Sequence, residues 1–375
     1  MHRFILHINR QLQVTGIWLA VFCLVGTAPA GAAEQLAELD LTSLSIEELM
    51  SIRVVSASKY EQTAAEAPSS VTVITADEIK HYGYRSLADV MRSIRGFSVS
   101  YDRVYSYLGV RGVGSIGDWN SHVLLLVNGH RINENVYDSA MLGNAFPLDV
   151  DLIARVEIIR GPGSSLYGDN AFFAVINVIT RNGREMAGVE LAADAGSLDT
   201  YGGRLSYGAK FENGLEMLIS GSAMDSQGNN TLYFKEFDDP SSNNGMADNL
   251  DKDGSHRLFS RLIAGDFTLE GAYSVRSKQV PTASYGAVFN DPIYEDFEGR
   301  SYIDLEYKHS FADALQTRER FYYDWYWYHS DTPWREDGSV TTIINKDIGR
   351  ARWLGVEAQI DKNIGRTHHL REQTY

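Results

Sequence analysis

The residues most suggestive of chemistry form a glycine-rich turn between two apolar runs, within residues 155–180 (RVEIIRGPGSSLYGDNAFFAVINVIT). A loop that cradles phosphate needs a Lys and a Ser or Thr after its last glycine, whereas Gly168 is followed by Asp169 and Asn170. The GxSxG pattern of a serine nucleophile is also absent here. The turn therefore carries neither nucleotide-binding nor hydrolase chemistry, and its glycines are expected to serve backbone geometry.

Two other segments could suggest a metal site, and both are weak. His368 and His369 are adjacent but have no carboxylate or Cys partner at ligand spacing, so a solvated pair is expected. Residues 249–255 (NLDKDGS) resemble the start of a calcium loop, but the twelfth position is Ser260 instead of Glu. The sequence predicts no catalytic residues, no metal and no other cofactor, so the protein is not expected to be an enzyme.

The N-terminus predicts export. Arg3 and Arg10 precede an apolar run from Ile17 to Val25, and small residues follow up to Ala33, which is the layout of a cleaved secretory signal peptide over residues 1–33. The alternative, a membrane-anchoring helix, is disfavoured because the run is too short to span a bilayer. Cleavage would remove two arginines, no acidic residue and the single cysteine, so the net charge of -15 would become -17 without any disulfide. This acidity argues against a nucleic-acid partner.

The second half of the chain has the period of β-strands. Leu354, Val356, Ala358 and Ile360 alternate with polar residues, so one face could meet lipid and the other a polar lumen. About eight strands are predicted from Gly188 to Ile364, with a ninth from His368. Short turns (212–214, 265–266 and 312–314) alternate with long polar loops (228–255, 280–296 and 331–349), and an aromatic run lies at 321–329. This pattern favours an outer-membrane β-barrel over the alternative, a soluble β-sandwich, and no segment after the N-terminal one is long and apolar enough for a membrane helix.

Before those strands, shorter patterns predict a compact α+β unit. A strand at Val71 to Ile74 is followed by helix starts at Thr75 and Ser86, the first with the capping-box spacing Thr75 to Glu78. A strand at Val123 to Val127 ends in Asn128–Gly129, a strong hairpin signal. Seven segments follow one another here: VTVIT, LADVM, GVRGVG, LLLVNGHRI, PLD, RVEIIRGPGSSLYG and INVIT.

These seven segments, in this order and spacing, resemble the plug domain of TonB-dependent outer-membrane receptors over about residues 52–183. The resemblance implies an α+β plug followed by antiparallel transmembrane β-barrel strands, about 8 to 9 of the roughly 22 that a plugged barrel has. It divides the chain into a signal peptide (1–33), a periplasmic segment (34–58), a plug (59–183) and part of a barrel (184–375). Because eight strands cannot enclose a plug, we expect a truncated or split receptor, or further strands supplied elsewhere.

The resemblance also assigns residues. It places a TonB box, which would pair with TonB by strand addition, at Ile52, Arg53, Val54, Val55, Ser56 and Ala57; the alternative is that these residues are the first strand of the next domain. It implies that Arg111 and Arg160 hold the plug to barrel carboxylates, the alternative being two surface residues beside glycine turns. The predicted turn glycines of the plug are Gly112, Gly129, Gly161, Gly163 and Gly168.

The function implied by the resemblance is energised uptake of a scarce nutrient complex across the outer membrane. A ferric siderophore is the first expectation, ahead of cobalamin, haem or an oligosaccharide, and the implied partners are TonB with its inner-membrane energising complex, outer-membrane lipid and the small ligand. A monomer is expected. Residues 101–107 and 228–255 are possible ligand surfaces. The alternative is a truncated, non-transporting remnant or a surface protein that binds without moving substrate.

Overall fold

A computed structural model describes residues 53–54, 62–63, 70–311, 315–336, 339–364 and 368–374. Strand β1 (Arg53–Val54) pairs antiparallel with β2 (Gln62–Thr63), with Arg53 opposite Thr63. These two residues are the only part of the predicted TonB box that is described, since Ile52, Val55, Ser56 and Ala57 lie outside the described residues. The predicted signal peptide also lies outside them.

The α+β unit contains β3 (Val71–Thr75), β4 (Phe97–Tyr101), β5 (Ser106–Val110), β6 (Val123–Val127), β7 (His130–Arg131), β8 (Ile153–Arg160) and β9 (Ala174–Thr180). Five of these strands form a mixed sheet in the order β3-β8-β9-β6-β7, in which only the β6–β9 pair is parallel. Strands β4 and β5 form a separate hairpin. The helices are α1 (Ala76–His81), α2 (Leu87–Arg92), α3 (Ser164–Tyr167) and α4 (Gly183–Met186), with a 3-10 turn at Val150–Leu152.

Local signals account for the ends of these elements. The predicted residues Thr75 and Ser86 are the N-caps of helices α1 and α2, and each helix has a capping box, completed by Glu78 and Asp89 respectively. Every residue of β6 is buried, which fits its uninterrupted apolar sequence. The core of the unit packs this strand against β8, β9 and α2, and each large side chain buried there contributes roughly 1.5–3 kcal/mol.

A second sheet follows, with nine antiparallel strands in simple sequential order apart from an excursion between β12 and β15. We call this sheet the wall. Its strands are β10 (Gly188–Gly196), β11 (Thr200–Lys210), β12 (Glu216–Ser226), β15 (Asp253–Ala264), β16 (Phe267–Gln279), β17 (Glu295–Phe311), β18 (Leu315–Arg335), β19 (Thr342–Ile364) and β20 (His368–Thr374). Within the described residues, the predicted eight strands and the ninth from His368 are therefore confirmed.

The connections of the wall are unequal at its two ends. At one end, residues 211–215 and 265–266 make short turns; at the other, which we call the long-connection end, residues 227–252 and 280–294 form extended connections. The first of these contains a small hairpin of β13 (Thr231–Tyr233) and β14 (Met246–Asp248). The prediction of a long loop at 331–349 was wrong in extent. Strands β18 and β19 stay paired up to Arg335 and Thr342, so that only residues 336–341 lie between them.

The wall is polar on the face toward the α+β unit and apolar on the other. On β17, Asp304 is buried while its neighbours Ile303 and Leu305 are exposed, and on β18 Arg320 is buried beside exposed Phe321. Because successive side chains of a strand point to opposite faces, this is a consistent inversion of the usual pattern, with the apolar side chains outward. No described helix is long and apolar enough to cross a membrane.

Candidate functional site: the contact between plug sheet and wall

His130, on the short strand β7, joins the plug sheet to two strands of the wall. Its Nδ1 lies 2.9 Å from a carboxylate oxygen of Asp304 on β17, and its Nε2 lies 3.2 Å from one of Asp324 on β18. All three side chains are almost completely buried. Since carboxylates accept hydrogen bonds, an imidazole that bonds one on each side must donate from both nitrogens, which requires the charged form.

The electrostatics of His130 agree with that assignment. Burial alone would lower its pKa, but the charges and hydrogen bonds of Asp324 and Asp304 outweigh burial and raise the pKa to about 9. The ring also stacks on Tyr302, with centroids 4.3 Å apart, and meets the ring of Tyr322 edge-on at 5.0 Å. His130 is therefore a buried imidazolium held by charge and by aromatic packing.

Two arginines of the wall donate hydrogen bonds to the backbone of the plug hairpin formed by β6 and β7. Arg300 donates to the backbone carbonyls of Ile132 and Arg131, and to Asp324 at 2.7 Å. Arg320 donates to the carbonyl of Asn128 at 2.9 Å and pairs with Asp304 and Glu306. Asn128 and Gly129 turn the chain with φ of 49° and 82°, a left-handed turn that suits these residue types. The predicted Asn-Gly hairpin is confirmed.

The side chain of Asn128 adds a further link. It donates to Glu270 of β16 at 2.6 Å and to Thr180 of β9 at 2.9 Å. Glu270 also accepts from Tyr302 at 2.8 Å. We use the term lock for His130 and Asn128 of the plug hairpin together with Glu270, Arg300, Tyr302, Asp304, Arg320 and Asp324 of the wall.

A second layer of contacts lies nearer the long-connection end. Arg276 of β16 makes a two-pronged ion pair with Asp253 of β15, at 2.7 and 2.8 Å, and donates to the carbonyl of Val104 in the plug. Arg257 of β15 donates to the carbonyls of Phe146 and Asn144. Bidentate guanidinium contacts of this kind fix orientation as well as distance. The wall therefore contacts the plug in two layers, which are separated along the direction of the strands.

The tip of the β4–β5 hairpin, residues 102–105, is the part of the plug that meets the long connections. Asp102 closes the tip by accepting from the backbone N–H groups of Val104 and Tyr105, and from the Tyr107 hydroxyl. Val104 packs in a small apolar cluster with Val280, Ala287 and Tyr294 of the 280–294 connection. A cavity of about 220 Å³ opens beside this tip and is lined by Tyr101, Val104, Tyr105, Asn144, Asp253 and Arg276, among others.

The arginines assigned from the sequence make their hydrogen bonds inside the plug. Arg111 donates to the carbonyl of Arg160 at 3.2 Å, and Arg160 donates to Ser70 and to the carbonyl of Arg95. Their proposed role as contacts to the wall stays a prediction. Among the described residues, plug–wall contacts that the sequence reasoning did not identify are made by His130, Asn128 and Asn144 of the plug and by arginines of the wall.

The five predicted turn glycines fall into two groups. Gly112, Gly129, Gly161 and Gly168 have positive φ. Gly163 does not, but a Cβ there would come within 2.9 Å of a Val175 methyl, so close packing of α3 on β9 limits its size. No described group of His, Cys, Asp and Glu is arranged to hold a metal ion.

The described residues thus place a small mixed sheet against the polar face of a nine-stranded antiparallel sheet. Residues 63–175 match the family model of the TonB-dependent receptor plug domain. The chain is 37% identical over 180 residues to the vitamin B12 transporter BtuB of Vibrio vulnificus, over 47% of this chain and 28% of the relative. It is 32% identical over 136 residues to an iron-regulated outer membrane virulence protein of Vibrio cholerae, over 35% of this chain and 20% of the relative.

Solved structures agree on the fold. The pyoverdine outer membrane receptor FpvA of Pseudomonas aeruginosa superposes with a TM-score of 0.63 at 19% identity, over 86% of this chain and 48% of that chain. The ferric-catecholate import receptor Fiu of E. coli gives 0.57 at 13% identity, over 81% and 48%. Residues 63–175 therefore match a TonB-dependent receptor plug domain, and the chain spans between a fifth and a half of the length of these relatives.

Proposed function

We propose that the chain acts as a TonB-dependent receptor of the outer membrane, which binds a scarce nutrient complex at the long-connection end and admits it when TonB rearranges the plug. The observation that carries the proposal is the lock: a folded plug sheet held against the polar face of a wall whose other face is apolar. Its relatives include a vitamin B12 transporter and, among solved structures, receptors for ferric siderophores. We therefore propose a metal chelate, a ferric siderophore or a corrinoid, as ligand.

The coupling step would begin at residues 52–57. An extended segment with β-branched side chains can add to the edge of a partner sheet, and the backbone N–H and C=O groups of Arg53 and Val54 already pair in this way with Gln62 and Thr63. TonB would compete for that edge. Pulling on the segment would then transmit force to β3 and, through the plug sheet, to the lock. Residues 1–33 as a signal peptide, 34–58 as the periplasmic segment, 59–183 as plug and 184–375 as wall complete the proposal.

The test is uptake in cells that lack other receptors, with radiolabelled cyanocobalamin and radioiron-loaded hydroxamate and catecholate chelates as probes. Accumulation of at least one probe should depend on this chain and disappear in a TonB-deletion strain. Val54→Pro removes the backbone N–H that strand addition needs, so it should abolish accumulation without loss of surface binding. The matched control, Val54→Thr, keeps both the N–H and the β-branch and should transport normally.

Equal accumulation with and without TonB would refute the mechanism. Surface binding that never leads to accumulation would instead support the alternative, a binding protein that does not transport.

A further inference from the structure

Three aromatic side chains form a continuous surface on the plug at the long-connection end. Trp119 stacks on Tyr137, with ring centroids 5.5 Å apart and planes 25° apart, and meets Tyr105 edge-on at 5.2 Å. Tyr107 supports Trp119 from beneath, at 6.2 Å, and is itself buried. Tyr137 is 52% exposed, and Trp119 and Tyr105 are half-buried. We call Tyr105, Trp119 and Tyr137 the aromatic platform.

The backbone fixes Trp119 in an unusual conformation. Trp119 and Asn120 both have φ of 57°, in a region that a bulky side chain rarely occupies. Asn120 holds this geometry with three hydrogen bonds: it accepts from Leu108 N–H and donates to the carbonyls of Ser106 and Ala140. Strain that the surroundings enforce so thoroughly is typical of binding positions.

The loop that carries Tyr137 is equally well fixed. Glu134 is buried and accepts hydrogen bonds from the backbone N–H groups of Val136, Tyr137 and Ser139. Asn133 clamps the same loop by donating to the carbonyls of Val123 and Asp138. The aromatic platform is therefore organised before any ligand arrives, which lowers the entropic cost of binding.

The connections at the long-connection end, where the aromatic platform lies, are acidic in sequence. The connections at the long-connection end, residues 197–199, 227–252, 280–294 and 336–341, contain nine acidic residues and only two basic ones, Lys235 and Lys252. A field of one sign over a cleft attracts ligands of the opposite sign and repels those of its own.

The nearby cations of the wall are already engaged: Arg257 donates to the backbone carbonyls of Phe146 and Asn144, and three others are in ion pairs. Arg276 is paired with Asp253, Lys278 with Asp251 at 2.7 Å, and Arg300 with Asp324. Among the described residues, Arg103 at the hairpin tip is a cation without an ion pair, and Asp102 lies next to it in the chain. Little positive charge is therefore left for an anionic ligand.

We infer that the aromatic platform binds a ligand that contains a conjugated ring system and carries no net negative charge, in preference to an anionic ferric catecholate. This inference rests on the proposed function, whose ligand class it narrows. The rings supply stacking surface, and the acidic connections select against anions during approach as well as in the bound state.

The experiment measures equilibrium binding to the purified full chain in detergent, without any energy source. Cyanocobalamin, an electroneutral corrinoid, is compared with a ferric tris-catecholate, a trianion that also offers aromatic rings. We expect saturable corrinoid binding that is at least tenfold tighter than binding of the trianion at low salt. This difference in affinity should decrease as salt screens the acidic charges of the connections. Tyr137→Ala should weaken corrinoid binding about tenfold. Tyr82→Ala, which removes a more exposed plug tyrosine outside the aromatic platform, should leave it unchanged.

Equal or tighter binding of the trianion would overturn the inference, and so would the absence of saturable corrinoid binding. If Tyr137→Ala left the affinity for the corrinoid unchanged, the aromatic platform would not be the binding surface. These failures are distinct from failure of the proposed function, because a chain that binds the corrinoid as expected but never accumulates it fails only as a transporter. A chain that accumulates the catecholate through TonB fails only in its ligand class.

Discussion

At the scale of single residues, His130 is the most consequential side chain of the plug–wall contact. It is an imidazolium with carboxylates on both sides and no water-exposed face. Removing one partner of a buried ion group leaves the other charges uncompensated, which costs far more than breaking an exposed pair. Replacing His130 should therefore affect stability strongly, even though it is distant from the aromatic platform.

We predict that His130→Gln lowers the thermal unfolding midpoint of the detergent-solubilised protein, by an amount corresponding to roughly 3–5 kcal/mol. The matched control is His309→Gln, which breaks a pair with Asp266 of similar length, 2.7 Å, where both side chains are substantially exposed. An exposed pair contributes about 0–1 kcal/mol, so the control should shift the midpoint little. Similar shifts for the two variants would contradict the assignment.

The same residue predicts a pH dependence. Because the pKa of His130 is raised to about 9 in the folded protein, from about 6.5 in an unfolded chain, its contribution is complete below pH 6.5 and is lost as pH rises through 9. The difference in unfolding midpoint between wild type and His130→Gln should shrink steadily from pH 7 to pH 10. A difference that is constant over this range would show that His130 is not charged in the lock.

At the scale of elements, helix α4 is the covalent and steric link from the plug sheet to the wall. Gly183, its first residue, lies so close to β11 and β12 that an added Cβ would be 2.2 Å from the carbonyl oxygen of Met217 and 2.7 Å from that of Ala209. Neither obstacle is a flexible side chain. The helix can dock only without a side chain at this position.

Gly183→Ala is expected to destabilise the protein by about 1–3 kcal/mol, the usual cost of overpacking, because strand backbone must move to admit the methyl group. Gly203→Ala on β11 is the control, since its new Cβ would meet the carbonyl of Ala192 at an ordinary 3.6 Å. Thermal unfolding of both variants measures the difference. An unchanged midpoint for Gly183→Ala would mean that α4 docks more loosely than the structure indicates.

Local sequence patterns predicted several of these elements but not the contacts between distant ones. The capping boxes at Thr75 and Ser86, the Asn128–Gly129 turn and the strand alternation around Leu354 are local signals, and each predicted its element. The partners of His130 are 174 and 194 positions away, so no local pattern joins them. Alternation on β17 and β18 could have placed Asp304 and Asp324 on a polar inner face, but not opposite His130.

The predicted loop at 331–349 failed for a related reason. Its polar and turn-forming residues suggested a break, but cross-strand pairing such as Trp334 with Ile343 extends β18 and β19 through it. Pairing between neighbouring strands can override weak local propensity, and this information is not visible in either strand alone.

At the scale of the whole molecule, the apolar outer face of the wall predicts contact with lipid. Val356 on β19 is 54% exposed and lies between two other exposed apolar residues of the same face, Leu354 and Ile360. We predict that Val356→Arg reduces the amount of folded protein recovered from the outer membrane, since a charge on a lipid-facing strand costs up to about 2–4 kcal/mol, depending on depth.

Val340→Arg is the matched control for that experiment. Val340 is 93% exposed in the short connection between β18 and β19, where a charge would meet water instead of lipid. Recovery of this variant should equal that of wild type. If both variants assembled equally well, the outer face of β19 would not be lipid-facing.

The composition of the lock has a consequence for repeated operation. Asp324 keeps Arg300 and Asp304 keeps Arg320 as partners within the wall itself, whether or not the plug hairpin is present. The hairpin takes with it the His130 imidazolium, the Asn128 amide and a few backbone carbonyls, whose hydrogen bonds to the wall water can replace. The wall would therefore keep these two ion pairs after the hairpin departs, while water takes over the carboxylate oxygens that faced His130. The hairpin could return to the same seat without the wall having to be rebuilt.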